Sequence, residues 1–102
     1  KAGRHDASIM HYEAALQLDP SSVKAPINMG AALAQEGRTD EATRCFDQAL
    51  RIDPESVEAH FNLGVILARQ NRTEEAAQHF SHVLKLRPDL DAARRWLEAL
   101  KQ

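Results

Sequence analysis

The chain repeats itself with a period of 34 residues. Residues 23–56 set against residues 57–90 agree at thirteen of 34 positions: Val23/Val57, Ala25/Ala59, Asn28/Asn62, Gly30/Gly64, Leu33/Leu67, Ala34/Ala68, Arg38/Arg72, Thr39/Thr73, Glu41/Glu75, Ala42/Ala76, Phe46/Phe80, Leu50/Leu84 and Pro54/Pro88. One period earlier, Gly3, Arg4, Asp6, Ala15, Leu16, Asp19, Pro20 and Ser22 equal the residues 34 places on. A fixed period of this length means stacked supersecondary units, each too small to bury its apolar face alone.

Each period reads as two helices. Lys24 to Glu36 carries apolar residues at helical spacing and ends at Gly37. Pro26 loses a backbone bond unless it lies in the first turn, so the helix should start late enough to keep it there. Asp40 to Ile52 follows, with Thr39 as the expected cap and Asp40 and Glu41 at the positive end of the dipole. Asp53-Pro54 stops it. The next unit repeats the plan: Ser56 caps Val57–Gln70, Asn71 turns the chain where Gly37 stood, and Thr73 caps Glu74–Leu86 before Arg87-Pro88. Ahead of both units, His5 to Leu18 reads as one helix capped by Asp6, with Ile9, Tyr12, Ala15 and Leu16 on its buried face. A last helix spans Leu90 to Lys101, with Ala93, Trp96, Leu97 and Leu100 on one face and Arg94, Arg95, Glu98 and Lys101 on the other. Gly30 and Gly64 cost about 1 kcal/mol each inside helices. A close neighbour would offset that, and the small Ala42 and Ala76 are the expected partners.

With these units in place, the pattern Asn62-Leu63-Gly64, Ala76, Phe80, Pro88, matched by Asn28-Met29-Gly30, Ala42, Phe46, Ala49, Pro54, resembles the tetratricopeptide repeat (TPR) family. The resemblance covers nearly the whole chain. It implies an all-α, right-handed α-solenoid of antiparallel helix pairs. Residues 1–102 then form a single domain: 1–22 the second helix of a partial repeat, 23–56 and 57–90 full repeats, and 91–102 a capping helix. In such proteins the first helix of each pair lines a concave groove that takes peptides or other chains. Carried over by position, that groove face is Lys24, Ile27, Asn28, Ala31, Gln35, then Glu58, Phe61, Asn62, Val65 and Arg69, with Arg95, Trp96 and Ala99 from the last helix. Helical spacing separates these positions from the core stripe of Met29, Leu33, Leu63 and Leu67. One TPR subclass clamps acidic chaperone tails with Lys, Arg and Asn. This chain departs from it: Ile27 and Ala31 stand where the clamp has Lys and Asn, and Ala92 and Trp96 replace basic residues, although Asn62 fits. The recurring Asn also resembles the ladder in the TPR arrays of O-GlcNAc transferases, but two rungs do not carry that activity.

Composition narrows the chemistry. The net charge of −2, with 27% charged residues of both signs, gives no general attraction to nucleic acid or anionic membranes. No apolar run approaches the roughly 20 residues that span a bilayer. The one cysteine, Cys45, has no internal disulfide partner and no His or Asp at the spacing of an activated nucleophile. His79 and His82 are i, i+3 on one helix, but two ligands make a poor metal site, and a solvated face is the expectation. His60 falls on the buried side of its helix, while His5 and His11 have no evident partner. Paired carboxylates at 40–41 and 74–75 are accounted for by the helix N-termini. No cofactor, metal or catalysis is therefore expected. The leading reading is a non-enzymatic module that binds a peptide or protein segment. The alternatives are a substrate-recruiting segment of an enzyme such as a glycosyltransferase, or a structural self-assembly segment. Because the chain starts at Lys1 in mid-pattern, it reads as a piece of a longer protein. Its uncovered helix 5–18 is then expected to pair with a second copy of the chain, or to exchange between copies.

Overall fold

A computed structural model describes residues 22–101. The expected helix 5–18, its cap and its association with a second copy lie outside the described residues. Five helices fill the described chain: α1 Lys24–Gln35, α2 Thr39–Ile52, α3 Val57–Arg69, α4 Thr73–Leu86 and α5 Asp91–Leu100. The chain forms two compact units, 1–54 and 55–102.

In the first unit, α1 packs against α2 as a hairpin. Pro26 is the third residue of α1 and is fully buried. At that position its missing N–H would have had no carbonyl within the helix. The turn after α1 closes with Arg38 N–H donating to Leu33 O at 2.9 Å and Gly37 N–H to Ala34 O at 3.0 Å. This pair of bonds is a Schellman closure, and it needs the left-handed conformation that Gly37 adopts at φ 79°. After α3, Arg72 N–H to Leu67 O and Asn71 N–H to Ala68 O repeat it, with Asn71 at φ 63°. Asn tolerates that conformation better than other residues with a Cβ.

The helix starts divide by chemistry. Ser56 Oγ accepts from Ala59 N–H at 3.2 Å, an ordinary N-cap. Thr39 and Thr73 do not cap. They are the first residues of α2 and α4, and Arg38 and Arg72 occupy the cap positions without a side-chain cap bond. Each arginine instead makes a two-point ion pair with the glutamate three residues on. Arg38 Nε reaches Glu41 Oε1 at 2.7 Å, and Arg72 Nε reaches Glu75 Oε1 at 2.7 Å. The carboxylates are thereby held in the first turn, where the dipole favours them.

The interior glycines meet rings rather than alanines. A Cβ on Gly30 would stand 2.8 Å from Cζ of Phe46, and one on Gly64 would stand 2.8 Å from Cζ of Phe80. Phe46 and Phe80 are almost wholly buried, at 1% and 0% exposure. Ala42 and Ala76 are buried as well, but they are not what the glycines make room for. The stripe residues Met29, Leu33, Leu63 and Leu67 are all buried.

In the second unit α4 packs against both α3 and α5. Leu67, Ala76, Phe80, Val83 and Ala93 form its buried core, with Phe61, Val65, Trp96, Leu97 and Leu100 packed against it. Arg94 ties α5 to the preceding loop, donating to Pro88 O at 2.8 Å and to Asp91 Oδ1 at 3.1 Å.

Candidate functional site

Phe80 organises the second unit's exposed face. Its ring lies over the backbone of Gly64. On one side Phe61 from α3 meets it edge-on, with centroids 5.5 Å apart and planes at 72°. From α5, Trp96 stacks on it at 5.5 Å and 9°. Offset and edge-to-face arrangements of this kind add about 0.5–1.5 kcal/mol per pair beyond area burial. Phe61 and Trp96 thus pack against a shared neighbour, and both remain half-buried. Beside Trp96, residues Ala92, Arg95, Trp96 and Ala99 line a shallow, open and mainly apolar depression.

The remaining candidate residues divide by exposure. Lys24, Asn28, Ala31 and Gln35 of α1 are exposed, as are Glu58, Arg69 and Arg95 of the second unit. Phe61, Asn62 and Val65 are half-buried. Ile27 is different: at 5% exposure it is buried and has no surface to offer a ligand. Asn62 Nδ2 donates to Glu58 O at 2.9 Å. That bond orients the amide and leaves its Oδ1 uncommitted as an acceptor.

A second grouping was not visible along the sequence. His60 of α3 faces His79 and His82 of α4, so the two α4 histidines are half-buried against a third ring rather than on a solvated face. His60 lies 19 residues before His79, and no spacing within one helix reveals a pair of that kind. Cys45 is buried. No helix among the described residues is long and apolar enough to cross a membrane.

Family models described as tetratricopeptide repeat match residues 27–91 and residues 1–50. Among solved structures, the first TPR of Spaghetti (RPAP3), bound to the HSP90 peptide SRMEEVD, superposes with a TM-score of 0.91 at 24% identity, over 100% of this chain and 81% of that one. The Arabidopsis OM64 TPR domain gives 0.90 at 25% identity, over 99% and 84%. The second TPR domain of human RPAP3, in complex with the HSP70 peptide SGPTIEEVD, gives 0.87 at 25%, over 100% and 85%. No curated protein matches. The likeness establishes the fold class as the all-α helical-hairpin solenoid of those domains.

Proposed function

Since the chain belongs to the tetratricopeptide repeat family, whose model spans residues 27–91, we propose that it is a non-enzymatic protein-interaction module that binds a peptide segment. The observation carrying this reading is Trp96, half-buried, stacked on Phe80 and bordering an apolar depression. A half-buried aromatic seated on a buried ring is the kind of anchor that dominates binding energy at interfaces. Asn62 supplies an oriented amide for the backbone of an extended segment, and Val65 and Phe61 supply apolar contact. Asn28 and Ala31 hold the same register positions in the first unit.

Two solved neighbours hold peptides that end in EEVD. Such a tail presents carboxylates, and the positions where the family resemblance expects clamp residues hold Ala31 and the buried Ile27 in the first unit and, taken separately, Ala92 and Trp96 in the second. The chemistry therefore favours a segment carrying an apolar or aromatic side chain over an acidic tail. Peptide-library selection followed by titration tests this. Trp96→Ala should weaken the selected peptide by about 2 kcal/mol or more, roughly thirtyfold. Asn62→Ala should cost about 0.5–1.5 kcal/mol, the net worth of a neutral hydrogen bond. Both variants should keep the helical circular dichroism of the parent. Affinity that ignores both substitutions, or a preference for EEVD-ended peptides over apolar ones, would overturn the reading.

A further inference from the structure

The polar groups of the depression beside Trp96 are of one kind. Ala92 and Ala99 have no polar side-chain atom, Trp96 has an indole N–H and Arg95 has a guanidinium. Both of those groups donate and neither can accept. Trp96 makes no hydrogen bond among the described residues. Arg95 also borders a separate polar depression with Asp91, Arg94 and Glu98, so its charge is balanced locally and no anionic ligand is called for. The surrounding surface offers little to a ligand's own donors. Every described element is a helix, and a helix spends its backbone carbonyls on its own ladder. The acceptors nearby on α3 are Asn62 Oδ1 and the exposed Glu58 carboxylate. An ordinary extended segment carries an N–H at every residue, and each one pressed against this face without an acceptor costs free energy comparable to a lost hydrogen bond.

We propose that the segment bound at this face is proline-rich and held as a polyproline II helix. The inference rests on the reading of the Trp96 face as the binding face, and it names the class of segment that face takes. Proline has no backbone N–H and keeps its carbonyl, so a proline-rich backbone brings acceptors to a surface of donors and few donors of its own. Its carbonyls are free of internal hydrogen bonds and meet the Trp96 N–H and the Arg95 guanidinium. Its rings pack on the indole and on the small Ala92 and Ala99. Such a segment is already extended before it binds, so it loses little conformational freedom on a shallow, open site. Spacing agrees with this. A polyproline II helix repeats every three residues, about 9.3 Å. Phe61 and Trp96 each stand 5.5 Å from Phe80, so they lie no farther from each other than twice that distance. That limit leaves room for one turn of the ligand, with a proline at each ring.

Trp96 is the only tryptophan in the chain, so its fluorescence and its single indole N–H resonance report on this face without any substitution. The probe is an end-capped decaproline peptide, and an end-capped Gly-Ser decapeptide, a flexible coil, is the control. Decaproline should change the Trp96 emission saturably and move the indole resonance downfield, and the control should do neither. Trp96→Phe keeps a ring and removes the N–H, and it should weaken decaproline binding by roughly twofold to tenfold in calorimetry. Peptides selected from a library should carry prolines three residues apart. Replacing one of these by alanine should weaken binding by roughly twofold to fivefold from lost preorganisation alone. An indole resonance that ignores decaproline, or a Gly-Ser control that binds equally well, would overturn the proposal. Selected peptides that need Trp96 but contain no proline would also overturn it, while leaving the binding face itself standing. Selected peptides whose affinity ignores Trp96→Ala would overturn both.

Discussion

At the residue scale, the pairing of Gly64 with Phe80 explains why a helix former is excluded from the middle of α3. Alanine at 64 would gain about 1 kcal/mol of helix propensity. Its Cβ would also lie 2.8 Å from Cζ and 2.9 Å from Cε1 of Phe80, well inside van der Waals contact. The ring cannot swing clear, because Phe61 and Trp96 flank it. Overpacking of this sort costs about 1–3 kcal/mol, and so tight a contact sits toward the upper end. Gly64→Ala should therefore destabilise the chain by about 1–2 kcal/mol net, lowering the thermal midpoint by roughly 4–8 °C per kcal/mol. A midpoint that holds or rises would show that Phe80 moves aside freely. The recurrence of glycine at 30 and 64 was legible in the sequence, but its partner was not. Small residues look like natural partners for one another, whereas here a flat ring lies against the bare backbone.

At the element scale, the helices follow from local chemistry and their ends almost so. Pro54 and Pro88 after the second helix of each unit, Gly37 and Asn71 in the left-handed turns, and Ser56 at a helix start each act within a few residues, so the sequence exposes them. The starts of α2 and α4 were harder to read. Thr is the better cap by preference, but Arg38 and Arg72 take the cap position and satisfy Glu41 and Glu75 through their guanidinium groups. The hydrogen-bonded Arg38 guanidinium is the main reason that the Glu41 carboxyl is held below its usual range; the charges of Arg38 and Arg44 act in the same direction, and partial desolvation opposes them. The sign of the pH effect follows. Glu41 is easier to ionise in the folded chain, so its contribution is fully present above the unfolded glutamate value of about 4.3. It fades as pH falls through the lower folded value. Urea unfolding of the parent and Glu41→Gln should differ near neutral pH and converge in acid, once the pH has fallen below the lowered folded value. The difference should also shrink with added salt, because the pair is partly exposed, with side chains 38% and 43% accessible. A gap that persists in acid would assign the effect to packing instead.

At the scale of the whole molecule, the 34-residue period made the fold legible, because every repeat copies the same contacts between helices. The candidate face was only partly legible. Helical spacing sorts residues around one helix, which is why Phe61, Asn62 and Val65 stand apart from Leu63 and Leu67. It does not show what the neighbouring elements cover, so Ile27 reads as a surface residue although it is buried, and His60 reads as a residue of the buried side without showing that it faces His79 and His82. Net charge acts at this scale too. With 13 Lys and Arg against 15 Asp and Glu, and several of the arginines committed to carboxylates nearby, the chain has no cationic field to steer an acidic tail. If recognition runs through Trp96 and Phe61 as proposed, it should then depend little on ionic strength. Raising salt toward about 1 M, where the screening length is about 3 Å, should change the affinity of the selected apolar peptide less than about twofold, since apolar burial is not screened. Titrations in a salt series check this. An affinity that falls tenfold or more over the same range would mean that exposed cations such as Arg69 and Arg95 of the second unit carry the binding, and the partner would then be an acidic segment after all.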